Sequence, residues 1–172
     1  MEFALLGWPA DSVTLELDWQ RFAYAGKFVM SSTGKAIARE DGDIVGAAAF
    51  DADRTDEETL WIRYVTVAND EKGQGIGARL CAFVRDRALE RGYARVAIGV
   101  NNPFSYEALY KAGFAFTGEE TGMAELVLEH PGDRSPERYF EGFDRFRDRE
   151  LSEEELAFLD GREGVPDVVD YP

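Results

Sequence analysis

Val67-Ala68-Asn69-Asp70-Glu71-Lys72-Gly73-Gln74-Gly75-Ile76-Gly77-Ala78-Arg79-Leu80 is where a strand gives way to a helix. Upstream, Leu60 to Val67 (LWIRYVTV) is β-branched and aromatic throughout and carries the strongest strand pattern in the chain. Downstream, Gly75 to Arg91 reads as an amphipathic helix. Ile76, Leu80, Phe83, Val84 and Leu89 fall near one stripe, while Arg79, Arg85, Asp86 and Glu90 lie mostly off it. Gly92 stands where a left-handed cap ends such a helix. Between strand and helix come three alternating glycines, Gly73, Gly75 and Gly77. Missing side chains let a ligand approach the backbone closely. The first N–H groups of a helix have no internal partner and point outward as donors. With the helix dipole they make a seat for an anion, most naturally a phosphate or pyrophosphate. Lys72 and Arg79 flank this seat. The plainer alternative is a glycine-rich turn that only permits tight packing.

Working outward, Arg95 to Val100 reads as a second buried strand. Asn102-Pro103 then opens a short helix, with Asn as N-cap and Pro in the first helical position, ending at Ala112-Gly113. Phe114 to Thr117 and Ala124 to Glu129 read as two last strands. Toward the N-terminus, Val13 to Leu17 alternates as a half-buried strand does. Phe22 to Met30 is ambiguous. Lys35 to Arg39 and Ile44 to Phe50 form a hairpin about Asp41-Gly42-Asp43, and Asp51 to Glu58 is a polar break. Beyond Pro131-Gly132, Pro136 to Leu151 and Ser152 to Leu159 read as two acidic helices, and residues 161–172 are expected to fray. The fold class expected is α+β, or mixed α/β, with one βαβ unit in its middle. Residues 1–130 form the expected domain and residues 131–172 an appended acidic helical tail.

The chain has 172 residues, 19 basic against 34 acidic, for a net charge of −15. That balance argues against a nucleic-acid partner, which asks for a basic stripe. Four lysines stand beside fifteen arginines. Acids in excess with few lysines are what a protein kept soluble in strong brine would carry, so a halophilic origin is expected. The 131–172 segment holds 13 acids and 6 bases, so the acidity is spread along the chain and not confined to the tail. One cysteine, Cys81, and one histidine, His130, leave no disulfide, no cysteine-built metal site and no histidine cage, and no metal cofactor is expected. Cys81 reads as a buried structural thiol and His130 as a surface residue. No stretch reaches the ~18 apolar residues of a membrane span. The start, MEFALLGWPAD, lacks a basic n-region, so a cytoplasmic protein with no membrane partner is expected.

The P-loop pattern needs a Gly-Lys followed by Ser or Thr, which is missing. Gly73, Gly75 and Ala78 formally meet the dinucleotide fingerprint. However, several strands precede them and the next strand ends in Asn101-Asn102 rather than an acid. Lys72-Gly73-Gln74-Gly75-Ile76-Gly77 resembles the [RQ]-x-x-G-x-[GA] acetyl-coenzyme A loop of the GNAT superfamily of N-acetyltransferases, with Lys in the Arg/Gln place. Tyr64 to Val67 resembles that family's fourth strand. Asn102 through Phe114 resembles its second segment, N-x-x-A-x-x-L-Y-x-[KR]-x-G-F. The resemblance covers about residues 44–130.

The resemblance implies a central, mostly antiparallel sheet with a splayed parallel strand pair and flanking helices. It implies acetyl-coenzyme A as acetyl donor, with the pantetheine arm lying along the fourth strand. Backbone of Val65 and Val67 would bond its amides. Residues Lys72, Gly73, Gln74, Gly75, Ile76, Gly77 and Ala78 would hold the pyrophosphate. Asn101 and Asn102 would sit near the arm, Asn102 having a plain alternative as a helix cap. Family members often place a tyrosine four residues before the Gly of Gly-Phe to protonate the departing thiolate. Here that register gives Leu109, with Tyr110 one residue later and Tyr106 on the same helix face at i−4. Either tyrosine is a candidate acid, and packing against the sheet is the alternative for both. Asp51, Asp53, Glu57 and Glu58 are candidate bases. The expected activity is acetyl transfer to a primary amine, of a small molecule or a protein, within a ternary complex. A second copy of the chain, in a homodimer, is a candidate partner. The rival is a module of the same fold that binds coenzyme A without turnover.

Overall fold

A computed structural model describes residues 1–169, and its backbone divides into two compact units that part between Val96 and Ala97. In the first unit, β1 (Glu2–Gly7), β2 (Gly34–Glu40), β3 (Asp43–Ala52) and β4 (Thr59–Val67) pair antiparallel in that order. The β2–β3 hairpin turns on Asp41 and Gly42, both at positive φ (51° and 81°), as a two-residue loop demands. The hairpin and β4 stand where the sequence puts them. The Val13–Leu17 strand does not form, and the edge strand is Glu2–Gly7 instead. The alternation there is genuine but reports only a half-buried extended segment. Leu15 and Leu17 pack on Phe28, Ile37, Ala47 and Ala49, while the Leu15 amide donates to the Phe28 carbonyl (2.8 Å). The ambiguous stretch before it contains only the short helix α1 (Ala25–Phe28).

α2 (Ile76–Arg91) covers the opposite face of this sheet, where Ile76 packs with Ala38, Val45, Phe3 and Val67. Two register shifts aim side chains at the right face. Val45 is the extra residue in β3 and Arg63 the extra residue in β4. The first leaves Gly46 beneath the helix, where an added Cβ would lie 3.1 Å from Ile76 Cγ2. α2 ends on Gly92 at φ 111°. The chain then returns to the start of β4, where the Ala94 and Arg95 amides donate to the Glu58 carbonyl (2.7 and 3.2 Å). The Arg95 side chain reaches Asp56 and Thr59 (2.7 and 3.2 Å). β5 (Arg95–Val100) therefore sets out beside the first residue of β4 and in the same direction, closing the expected βαβ unit.

The second unit takes up β5, then α3 (Pro103–Lys111), β6 (Ala115–Glu120), β7 (Leu126–His130), α4 (Pro136–Arg147) and α5 (Glu153–Asp160). Its strands lie in the order β5-β7-β6, with β6 and β7 antiparallel. Each helix N-terminus is capped from the sequence: Asn102 accepts from the Ser105 amide, Ser135 from Arg138 and Ser152 from Glu155. α4 stops at Arg147, four residues short of the expected end. Its Tyr139, Phe143 and Phe146 are fully buried around Tyr106 of α3. Beyond α5 the chain is held rather than frayed as far as it is described. Arg162 bonds Glu107 (2.6 Å), and the Val169 amide donates to the Lys111 carbonyl (2.8 Å). Residues 170–172 of that expectation lie outside the described residues. No helix among the described residues is long and apolar enough to cross a membrane.

Candidate functional site

β4 ends at Val67, a single 3-10 turn follows over Asn69–Glu71, and Lys72 is extended. Gly73 and Gly75 then take left-handed backbone angles, φ 86° and 78°. Those two glycines are required by the turn itself, since a Cβ costs about 1–2 kcal/mol there. The first helical bond of α2 runs from the Arg79 amide to the Gly75 carbonyl (3.0 Å). The amides of Ile76, Gly77 and Ala78 thus have no carbonyl within the helix, and Gly75 offers no capping side chain. Space above the turn is open: a Cβ on Gly73 or Gly75 would meet nothing within 4 Å.

Gly77 differs from both. It does not take a positive φ, and an added Cβ would make only ordinary contact with Val67 Cγ2 (3.6 Å) and Val65 Cγ1 (3.7 Å). The fold does not need glycine here, and a helix is weakened by it. Val65 and Val67 face this turn because the Arg63 bulge sets their side of β4. Lys72 is exposed beside the turn, and the Arg79 guanidinium lies 5.2 Å from the Phe3 ring centroid. Gln74 donates to Glu71 (3.1 Å), and Arg21 is drawn to Asp43 and Asp70.

The candidate residues of α3 are placed otherwise. Asn102 Oδ1 accepts from the Ser105 amide (2.8 Å), which is its capping role, and Asn102 Nδ2 donates to the exposed Asn101 (3.2 Å). The Tyr106 hydroxyl is buried and donates to the Tyr139 carbonyl (2.8 Å). Burial first, and the neighbouring Tyr139 and Tyr110, push its pKa well above the usual tyrosine value. The Tyr110 hydroxyl donates to the Arg134 carbonyl (3.0 Å), and the Arg134 guanidinium sits 3.7 Å over the Tyr110 ring centroid. Both hydroxyl protons are therefore spent on backbone oxygens. Three of the acids near β4 are also engaged. Asp51 holds Arg63 (2.6 Å), Asp53 accepts from Thr55 and Trp61, and Asp56 accepts from Thr59 and Arg95. Cys81 is buried, and desolvation pushes its thiol up to about 12. His130, expected at the surface, is half-buried with Nδ1 2.8 Å from the Gly113 carbonyl.

One buried cation escaped the sequence reading. Lys35 is fully buried in β2, its Nζ within 2.7–2.9 Å of the carbonyls of Val13, Met30 and Thr33 and the Thr33 hydroxyl. Burial draws its ammonium below the usual lysine value. A lysine amid apolar β2 residues was the only signal for it.

The model of the Acetyltransferase (GNAT) family matches residues 2–114. No curated relative matches the chain in sequence. Among solved structures, an N-acetyltransferase from Staphylococcus aureus Mu50 aligns with a TM-score of 0.50 at 21% identity, over 56% of this chain and 66% of that one. The yncA protein of Salmonella typhimurium, solved with its cofactor acetyl-CoA, aligns with a TM-score of 0.50 at 20% identity, over 56% of this chain and 63% of its own. The chain spans just under two thirds of these relatives, and at such identities the likeness shows the fold.

Proposed function

The chain belongs to the acetyltransferase (GNAT) family, and from that premise we propose that it transfers an acetyl group from acetyl-coenzyme A to a primary amine. The observation that carries the reading is the row of amides at Ile76, Gly77 and Ala78 that find no acceptor within the helix or from its N-cap side chain, beside a glycine the fold has no need of. Backbone donors converging on open space fit a diphosphate. The site residues in this reading are Lys72, Gly73, Gln74, Gly75, Ile76, Gly77 and Ala78 for the diphosphate, and backbone of Val65 and Val67 for the pantetheine amides. Asn101 lies beyond the end of β5, and Asn102 serves first as the α3 cap.

Bound acetyl-coenzyme A would supply a thioester as acetyl donor. Direct transfer in a ternary complex is favoured over an acyl-enzyme, because the chain's one thiol, Cys81, is buried and stays protonated. We infer that Tyr106 and Tyr110 act as packing residues and that solvent protonates the thiolate, since both hydroxyls are already donated. The same fact favours the second reading, a coenzyme A-binding module without turnover.

Thiol release from acetyl-coenzyme A, measured with the full chain across polyamines, aminoglycosides and lysine peptides, separates the two. Release with at least one amine is expected. Tight coenzyme A binding with no release on any amine would favour the module, and no binding at all would sink both.

A further inference from the structure

Two acids stand at the mouth of the glycine turn. Asp70 and Glu71, both in the 3-10 turn over Asn69–Glu71, come directly before Lys72 and Gly73. Asp70 is three residues from Gly73, a span of at most about 11 Å of chain. A carboxylate that near raises the energy of any diphosphate bound at the turn. Within the turn, Glu71 accepts only a neutral donor, Gln74 (3.1 Å). The cation that meets Asp70 is Arg21, 49 residues earlier in the chain.

Arg21 Nη2 lies 3.5 Å from Asp70 Oδ1, and Nη1 lies 3.2 Å from Asp43 Oδ2. The backbone delivers this side chain. The Arg21 and Phe22 amides both donate to the Asp18 carbonyl (2.9 Å each), and Phe22 is buried, so residues 18–22 form an anchored turn. The Asn69 amide donates to the Arg21 carbonyl (2.8 Å), and Asn69 Nδ2 to the Gln20 carbonyl (3.2 Å). Those two bonds tie the 18–22 turn to the one that carries Asp70. The guanidinium also lies 5.5 Å from the Phe22 ring centroid. Exposed ion pairs of this kind add little to folding stability. Their charges still act on an ionic ligand bound just beyond them.

We propose that Arg21 is a positioning residue for coenzyme A: it offsets the Asp70 charge and so lets the glycine turn accept a diphosphate. The role rests on the acetyl-transfer reading, which puts the diphosphate at Lys72 to Ala78, and it adds a determinant that acts through Asp70. Arg21 thereby favours polyanionic ligands that bear a diphosphate. In water a unit charge about 10 Å away changes the Kd of a doubly charged group by about fourfold. Salt removes the effect, since the Debye length falls from about 30 Å at 0.01 M to about 3 Å at 1 M.

The test is calorimetry of coenzyme A with the full chain in about 0.01 M and about 1 M potassium chloride, with near-ultraviolet circular dichroism confirming the fold of each variant. At low salt Arg21→Gln should weaken binding by about fourfold, and Asp70→Asn should tighten it by about as much. The double variant should return to about native affinity, and Arg21→Lys should stay near it. In the high salt the differences should vanish. A residue that merely tethers the two turns behaves otherwise: its loss is not repaired by removing Asp70. A double variant as weak as Arg21→Gln would therefore overturn the proposal, as would native affinity in Arg21→Gln. Should Arg21→Gln not fold, Asp70→Asn still decides, because unchanged affinity there at low salt would overturn the proposal as well. A native chain that does not bind coenzyme A would remove the diphosphate placement and this role with it, whereas binding indifferent to both substitutions would remove the Arg21 role alone.

Discussion

Gly77→Ala should make the protein more stable and a worse binder at once. The added methyl meets Val67 and Val65 at 3.6 and 3.7 Å, ordinary contact that asks nothing to move. Replacing glycine by alanine in a helix stabilises by about 0.5–1 kcal/mol. For a chain of this size that is a rise in Tm of about 1–4 °C. The same methyl projects toward β4, into the strip where the pantetheine arm is proposed to run beside the open amides. Losing one charge-assisted hydrogen bond to the diphosphate would cost about 1.5–3 kcal/mol, or roughly 10- to 150-fold in Kd. Thermal melting and calorimetry with coenzyme A read the two effects separately. Gly75 is a poorer probe, because its left-handed backbone strains any side chain and confounds folding with binding. Unchanged affinity in a stabilised Gly77→Ala chain would refute the placement of the ligand.

Lys35→Met should lose about 2–4 kcal/mol in urea unfolding, because the Val13, Met30 and Thr33 carbonyls are left without their donor; a loss under 1 kcal/mol would show that water replaces the ammonium. Acid should unfold the chain partly through Asp53 and Asp56. Asp53 is held below the ordinary 3.8 by donation from Thr55, and Asp56 by donation from Thr59 and then the Glu58 amide. Their folded values lie below the unfolded one, so the stability they confer is present above about pH 4 and is lost as pH falls through the folded values. Urea midpoints at pH 6, 4 and 3 should therefore fall less steeply for Asp56→Asn, and parallel curves would contradict the assignment. If the acid-rich, lysine-poor surface reflects salt adaptation, Tm should climb as potassium chloride rises to molar levels, and a flat or falling trend would defeat that idea.

What could be read from the sequence was what local chemistry decides. The Asn102 cap, the Gly92 stop and the Asp41-Gly42 turn each act within a few residues of themselves, and all three sit where their residue types ask. What could not be read depends on partners distant in the chain. Glu2–Gly7 is a short apolar run with no alternation to mark it, and it becomes a strand only because β2 offers it an edge. Val13–Leu17 alternates but finds no edge. Spacing puts Tyr106 and Tyr110 on one face of α3 without saying what that face meets, and the answer is an aromatic helix 33 residues downstream. The open amides of the glycine turn were legible, since helix geometry leaves them unpaired wherever no cap is supplied.

α4 takes the tyrosines by shape as much as by hydrogen bonding. At Gly142 an added Cβ would collide with the Tyr106 ring and hydroxyl, so this helix carries a notch fitted to that residue. In the acetyl-transfer reading the thiolate would leave without a tyrosine's proton, and the proton ledger shows why that is tolerable. A thiolate with conjugate acid near ~8.5 is only one or two units from neutrality, so it leaves tolerably unprotonated and water can finish the task. An alkylammonium near ~10.4 is free amine to roughly one part in 10³ at pH 7. The larger deficit lies on the acceptor's side, where a base and not an acid is wanted. In the acetyl-transfer reading that demand falls on a base far more heavily than on either buried tyrosine, so both tyrosines can serve packing alone.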